Sequence, residues 1–337
     1  MLPKRRTIIA YTGGKPDRPP TAFPLTTHLR ESVNILGYRV EDIYRDPEKQ
    51  ANVVALLWEK TGLETLLVPL DLNVEAEALG CRVKYIDGHP NIHEALYRDL
   101  GSLRIPEDLF DRGRFQVKYD AIRILREKYG DVLAVFNRVT GPMTMAGLIF
   151  GVDRVVVWTR RRKRELRDIL EQLVEINIED ARKSLRKGVD IVAMAEPTAT
   201  CDITPPDFFA EVLVDVYREF NKRVGSITAL HICGNTNPIL KYIPETGFNA
   251  FSFDSKVNVS YAKSIIGGRV TLIGNIHNVN VLLKGPPENI IRESLRAISE
   301  GVDVLATSCD FPFNAPIEHV NAMVKAAEGL VARSDIL

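Results

Sequence analysis

The amino-acid sequence predicts a (β/α)8 TIM barrel, an α/β fold in which parallel strands close on themselves inside a ring of helices. Three observations carry that expectation. From about residue 65 onward, short β-branched runs alternate with longer amphipathic runs, the rhythm of repeated βα units. Eight strand-like runs can be found along the one chain, which favours a closed barrel over an open doubly wound sheet. The 337 residues, 45% of them hydrophobic, suffice for one large core, so residues 1–337 are read as one domain.

Taken in order, Thr21 to Leu25 is the candidate for the eighth strand, and His28 to Lys60 reads as two helices that decorate the barrel's N-terminal side. The regular alternation then begins with Thr65 to Leu70. Arg82 to Ile86, followed by Asp87-Gly88, has the form of an inserted hairpin. The remaining strand candidates are Val132 to Asn137, Asp190 to Ala195, Ile227 to Ile232, Ala250 to Phe253, Val270 to Ile273 and Asp303 to Thr307. Between and after them, helices are expected over Phe115 to Tyr129, Arg164 to Lys187, Pro206 to Val224, Pro287 to Ser299 and Pro316 to Leu330. Several of these begin with proline, which suits a first helical turn.

Bulk properties narrow the function. Lysine plus arginine and aspartate plus glutamate each total 44, so no global field draws the chain to nucleic acid or to a membrane surface. No stretch reaches the roughly 18 apolar residues of a membrane span, and the basic N-terminus breaks at glycine and proline before a signal-length apolar core develops. The expectation is a cytoplasmic protein. Cys81, Cys201, Cys233 and Cys309 are too few and too scattered for a disulfide framework; reduced thiols, some of them metal ligands, fit better.

The most informative segment is Ile227-Thr-Ala-Leu-His-Ile-Cys-Gly-Asn235. Alternation along a strand points His231 and Cys233 the same way. Imidazole and thiolate are preferred zinc donors, reaching the metal at about 2.0 and 2.3 Å. Cys309, just beyond the late strand Asp303 to Thr307, offers a third donor, because in a parallel barrel all such junctions share the C-terminal rim. Three ligands from distant strands match a catalytic zinc site, which keeps a position open for substrate. The alternative is that both cysteines are small buried hydrophobes and His231 a hydrogen-bonded core residue.

Further segments bear on that choice: Thr12-Gly-Gly-Lys-Pro-Asp-Arg18, Val74-Glu-Ala-Glu-Ala-Leu-Gly80, Ala195-Glu-Pro-Thr-Ala199, His231-Ile-Cys-Gly234, Phe251-Ser-Phe-Asp254 and Leu272-Ile-Gly-Asn-Ile276. In combination, along the whole chain, they resemble the uroporphyrinogen decarboxylase family, and within it the methylcobalamin:coenzyme M methyltransferases. The resemblance implies a barrel with Zn2+ on His231, Cys233 and Cys309, methylcobalamin or another corrinoid as methyl donor, a methylated corrinoid protein as partner and a small thiol such as coenzyme M as acceptor. The decarboxylase branch is the alternative, as is a corrinoid methyltransferase with folate or homocysteine as acceptor. A non-catalytic corrinoid- or zinc-binding protein is a third class. Against decarboxylation, Phe23-Pro-Leu-Thr-Thr-His-Leu-Arg30 lacks the arginine-rich loop that porphyrinogen carboxylates require, although Asp71 lies near the decarboxylase's pyrrole-binding aspartate.

Other rim residues follow from position. Glu196 is the candidate for a fourth, exchangeable ligand, or else a carboxylate capping a loop. Asp254 is the candidate to bond His231 from behind the metal, or else an ordinary loop aspartate. Glu75 and Glu77 would share a corrinoid- or substrate-facing surface in an extended backbone and diverge in a helix. Asn275 is a further cofactor-binding candidate and His277 a polar rim residue, while Cys201 is expected to be a bystander. His319, where the family commonly has asparagine, is expected to bear on acceptor or partner choice. The run Arg160-Arg-Arg-Lys-Arg164 is either a solvated face or a steering patch for an acidic partner.

Overall fold

The computed structural model describes residues 1–329. In chain order its strands are β1 (Leu66–Val68), β2 (Val83–Ile86), β3 (His89–Ile92), β4 (Val135–Thr140), β5 (Ile191–Ala195), β6 (Ile227–Ile232), β7 (Ala250–Phe253), β8 (Thr271–Ile276) and β9 (Val304–Thr307). Among the described residues the main sheet has seven strands in the order β1-β4-β5-β6-β7-β8-β9, each pair parallel. Strands β2 and β3 form the expected antiparallel hairpin, with Ile86 opposite His89 across the Asp87-Gly88 turn.

The predicted eighth strand is not a regular one. Thr21 to Leu25 is fully buried in the seam between β9 and β1, where the Leu305 amide donates to the Pro20 carbonyl at 3.0 Å. On the β1 side the Thr65 hydroxyl donates to the Thr21 carbonyl at 3.0 Å and accepts from the Phe23 amide at 3.1 Å. Pro19, Pro20 and Pro24 carry no N–H, so this stretch cannot sustain a ladder and side chains complete the closure instead.

Helices Phe115–Tyr129, Lys163–Arg186, Pro287–Glu300 and Ile317–Glu328 follow the expected segments, although the predicted end of the last one, at Leu330, lies outside the described residues. The segment beginning at Pro206 is helical, with a wider π turn at Phe209–Leu213 before Val214–Val224. In the decorating region Arg30–Ile35 and Pro47–Thr61 are helical, and Asp46 caps the second by accepting from the Glu48 and Lys49 amides at 2.9 and 3.1 Å. Helices without a sequence expectation include Pro3–Tyr11, Pro142–Phe150, Val152–Arg161 and Val259–Ile266. The first closes the N-terminal end of the barrel, its Tyr11 ring 5.7 Å from Phe136 and its Ala10 carbonyl accepting from Thr271.

The strand register sorts the inner face into layers. Arg138, Ala193, Ala229, Ala250 and Thr271 align across β4 to β8, and one step nearer the C-terminal rim come Thr140, Ala195, His231, Ser252 and Ile273. The Asp17 and Arg18 part of the N-terminal motif lies at the opposite end, where Asp17 pairs with Arg6, and Arg18 reaches Glu64 and Glu328.

Candidate metal centre

His231 is buried on the inner face of β6, and Cys233 is the first residue past that strand's end. The chain turns away at once through Gly234, whose φ of +77° is a left-handed value; a Cβ there would stand 2.3 Å from the Thr200 hydroxyl and 2.5 Å from an Asp202 carboxylate oxygen. Only glycine permits so tight an exit, and the exit leaves the Cys233 thiol at the rim. Cys309 lies two residues beyond β9. One ligand atom from each of His231, Cys233 and Cys309 falls within 4.8 Å of the others.

His231 is oriented from the neighbouring strand. Its Nδ1 lies 3.0 Å from Ser252 Oγ, and Ser252 is its register partner on β7. With the proton on Nδ1, the ring donates to the hydroxyl and turns the Nε2 lone pair toward the thiols. Asp254 does not take this role: its carboxylate accepts from the Gly234 amide at 3.0 Å and from the Lys256 amide at 3.0 Å, fixing the turn after Cys233 instead. Ser252 is therefore the orienting residue that sequence reasoning missed. A charged aspartate draws attention, yet strand register singles out the serine.

The two thiols are coupled. A hydrogen bond from Cys309 lowers the pKa of Cys233 despite burial, and the same pairing, with burial, raises that of Cys309. Two thiols within 4.8 Å of each other do not easily both ionise without a cation. A dication removes that conflict, and one imidazole with two thiolates is a donor set that suits Zn2+.

Other candidates fall elsewhere. Glu196 is fully buried and takes the capping alternative: its oxygens accept from the Met143 and Thr144 amides at 2.7 and 2.8 Å and from the Tyr217 hydroxyl at 3.0 Å. It thus holds the N-terminus of helix Pro142–Phe150, so closely that a Cβ on Gly141 would sit 2.4 Å from its carboxyl carbon. Glu75 and Glu77 lie in the short helix Val74–Ala78 and diverge, the first receiving the Thr140 amide and hydroxyl, both at 2.9 Å, the second pairing with Arg114 at 2.7 Å. Asn275, on the inner face of β8, donates to the Val257 carbonyl at 2.7 Å and so braces the loop that carries Asp254. His277 caps the turn after β8, accepting from the Val279 and Asn280 amides. His319 bonds the Leu282 carbonyl at 2.7 Å and braces that same turn rather than a substrate. Cys201 is absent from the metal-competent group among the described residues.

Asp71 is also committed. Arg114 grips both of its oxygens, at 2.6 and 3.0 Å. Within the cationic run, Arg162 pairs with Asp99 and Glu165, and Lys163 with Glu211. Arg160, Arg161 and Arg164 are exposed and free of ion pairs among the described residues.

The uroporphyrinogen decarboxylase (URO-D) family profile matches residues 2–330. A methylcobamide:CoM methyltransferase, MtaA, from Methanosarcina barkeri is 31% identical over 333 residues, covering 96% of this chain and 97% of its own. A solved methyltransferase structure from Methanosarcina mazei is similar over 98% of this chain and 100% of its own, at a TM-score of 0.94 and 32% identity. A B12-independent methionine synthase from Shewanella sp. shares the fold at a TM-score of 0.57 and 13% identity, over 83% and 86% of the two chains.

Proposed function

The chain belongs to the uroporphyrinogen decarboxylase family, and from that premise we propose that it is a zinc-dependent methyltransferase, moving a methyl group from a methylated corrinoid to a small thiol. Coenzyme M is the acceptor named for its Methanosarcina barkeri relative and is taken as the acceptor here. The observation that carries the reading is the convergence of His231, Cys233 and Cys309 from β6 and β9 onto one point.

His231, Cys233 and Cys309 would hold the zinc, and a bound zinc would keep the acceptor's sulfur ionised at neutral pH, where a free thiol with a pKa of about 8.5 is mostly protonated. The chain's own part is orientation. Ser252 fixes the imidazole, and Asp254 fixes the turn that presents Cys233. Arg160, Arg161 and Arg164 supply a cationic surface for a methylated corrinoid protein. They flank the junction between helix Val152–Arg161 and helix Lys163–Arg186, and the far end of the latter leads into β5, so the patch stands at the rim end of the barrel.

The family's decarboxylase chemistry fits less well. That reaction needs cations for several carboxylates and a free aspartate for the pyrroles, whereas Asp71 is already held by Arg114 and the seam Thr21 to Leu25 is buried and carries no arginine.

The test is metal analysis of anaerobically purified protein, followed by methyl transfer from free methylcobalamin to candidate thiols. About one zinc per chain with transfer to a thiol is expected; protein that binds no zinc, or zinc protein that transfers to no thiol, would overturn the reading.

A further inference from the structure

His28 is a buried titratable group that the metal centre leaves unused. It is 8% exposed, and its Nε2 lies 2.9 Å from the Tyr44 hydroxyl. The same hydroxyl lies 2.7 Å from Nδ1 of His89, the partly exposed first residue of β3. His28 Nδ1, on the other edge of its ring, is buried and has no hydrogen-bond partner among the described residues. Two imidazoles and one phenol thus form a chain from an unmet buried nitrogen to a ring that solvent reaches.

The backbone places this chain beside the loop that carries Cys309. The Thr26 amide donates to Asp310 Oδ1 at 2.7 Å, the Phe311 amide to the Thr26 carbonyl at 2.9 Å and the Arg30 amide to the Phe313 carbonyl at 2.7 Å. Residues 26–30 therefore run along the segment that leaves Cys309. Phe313 packs against both imidazoles, its ring centre 5.4 Å from that of His28 and 4.5 Å from that of His89. The charges that bear on His28 and Tyr44 are Asp310, Arg138, Asp71 and Arg114, which belong to β4, to the segments just past β1 and β9, and to the start of helix Phe115–Tyr129. Arg30 and Asp87 bear on His89.

Hydrogen counting fixes what the chain can do. Burial pushes His28 down to about 3 and holds the Tyr44 hydroxyl protonated, so each is neutral and brings one hydrogen. One O–H serves only one of the two links, and a ring N–H must serve the other. If Tyr44 donates to His89, His28 donates from Nε2 and its Nδ1 is bare. If Tyr44 donates to His28, His89 donates from Nδ1 and the His28 hydrogen sits on Nδ1. A proton taken up at His28 Nδ1 therefore shifts one hydrogen along each link and expels another from His89 Nε2, leaving no charge inside.

We propose that His28, Tyr44 and His89 form a proton relay that carries the acceptor thiol's proton out of the barrel mouth while the corrinoid covers it. This rests on the methyltransferase reading above. Forming the thiolate breaks the S–H bond and leaves its electron pair on sulfur. The proton passes across the mouth to His28 Nδ1, and an equivalent proton leaves His89 Nε2 for water. The shift reverses once the product has left and the mouth is open to solvent, so the chain is ready for the next thiol.

The experiment compares wild type with Tyr44→Phe and His89→Gln. Nitrogen NMR of protein with isotope-labelled histidine, without donor or acceptor, reads the tautomers. When acid protonates His89, His28 should stay neutral and carry its hydrogen on Nδ1, and Tyr44→Phe should abolish that linkage. Turnover of 2-mercaptoethanol with free methylcobalamin is then followed from acid pH to beyond the thiol's own pKa. Tyr44→Phe should lose about 100-fold at the acid end, the scale of a missing proton-transfer group, and recover at the alkaline end, where the thiolate arrives without a proton. His89→Gln should behave alike, with partial rescue by added imidazole, and it carries the test if Tyr44→Phe does not fold. A deficit equal at every pH, or a His28 hydrogen that stays on Nε2 when His89 is protonated, would overturn the relay. A wild type that methylates no thiol yet shows the linked tautomers would defeat the methyltransferase reading alone.

Discussion

Ser252 on β7 stands opposite His231 on β6 in the parallel register, and its hydroxyl oxygen lies 3.0 Å from His231 Nδ1. A ring that donates to Ser252 through Nδ1 is held at one angle and keeps Nε2 for a metal. Ser252→Ala is expected to lower zinc affinity by about 10- to 100-fold, the usual cost of losing such a partner, without changing the far-ultraviolet dichroism. Competition with a chromophoric chelator measures it. Affinity equal to that of the wild type would show that the hydroxyl does not orient the ring.

Cys309→Ser removes a donor that only the rim requires, since Cys309 lies past the end of β9 and its side chain is not part of the apolar core. The expected result is a folded barrel with little zinc and no methyl transfer. Dichroism and metal content read the two effects separately, and a variant with full zinc and full activity would exclude Cys309 as a ligand.

How far the sequence reaches can be judged from particular elements. Each regular strand of the main sheet lies within three residues of its expected bounds because buried parallel strands are runs of β-branched and apolar residues. The hairpin was legible because its turn needs positive φ, and Asp87 and Gly88 adopt +50° and +84°. Thr21 to Leu25 looked like a strand by side chain, while its prolines deny it the backbone donors. Glu196 illustrates the harder limit. Its partners belong to Pro142–Phe150, an almost wholly apolar stretch whose helix leaves no amphipathic period to detect, so a helix-capping carboxylate resembled a rim ligand.

The cationic run makes a different kind of prediction, because Arg160 and Arg161 occupy the last turn of helix Val152–Arg161, where the helix dipole favours positive charge. Their exposure therefore costs the fold little and leaves them available to a partner. Replacing Arg160, Arg161 and Arg164 with glutamine should reduce turnover with a protein-bound methyl corrinoid several-fold, yet spare turnover with free methylcobalamin. The deficit should shrink as salt rises, since screening acts over about 8 Å at physiological ionic strength. Equal losses with the two donors, or a deficit insensitive to salt, would reject a docking role.

Glu196 gives a prediction in pH. Burial pushes its carboxyl up to about 7, with the hydrogen bonds from Thr144, Met143 and Tyr217 pulling the other way. An unfolded glutamate titrates near 4.3, so between these values the folded protein holds a proton that the unfolded chain has released. The stabilising contribution is therefore complete below the unfolded value and is lost as pH rises through about 7, amounting to roughly 3 kcal/mol across the window. Glu196→Gln should be less stable than wild type at pH 5, because an amide cannot accept from both helix-end donors, but its stability should fall less between pH 5 and 8. Urea midpoints at each pH, taken as the difference between the two proteins, cancel the groups they share. Zinc content at pH 7 should be unchanged, since Glu196 is outside the His231, Cys233 and Cys309 group. Parallel pH profiles would refute the raised carboxyl, and loss of zinc from Glu196→Gln would return this residue to the metal.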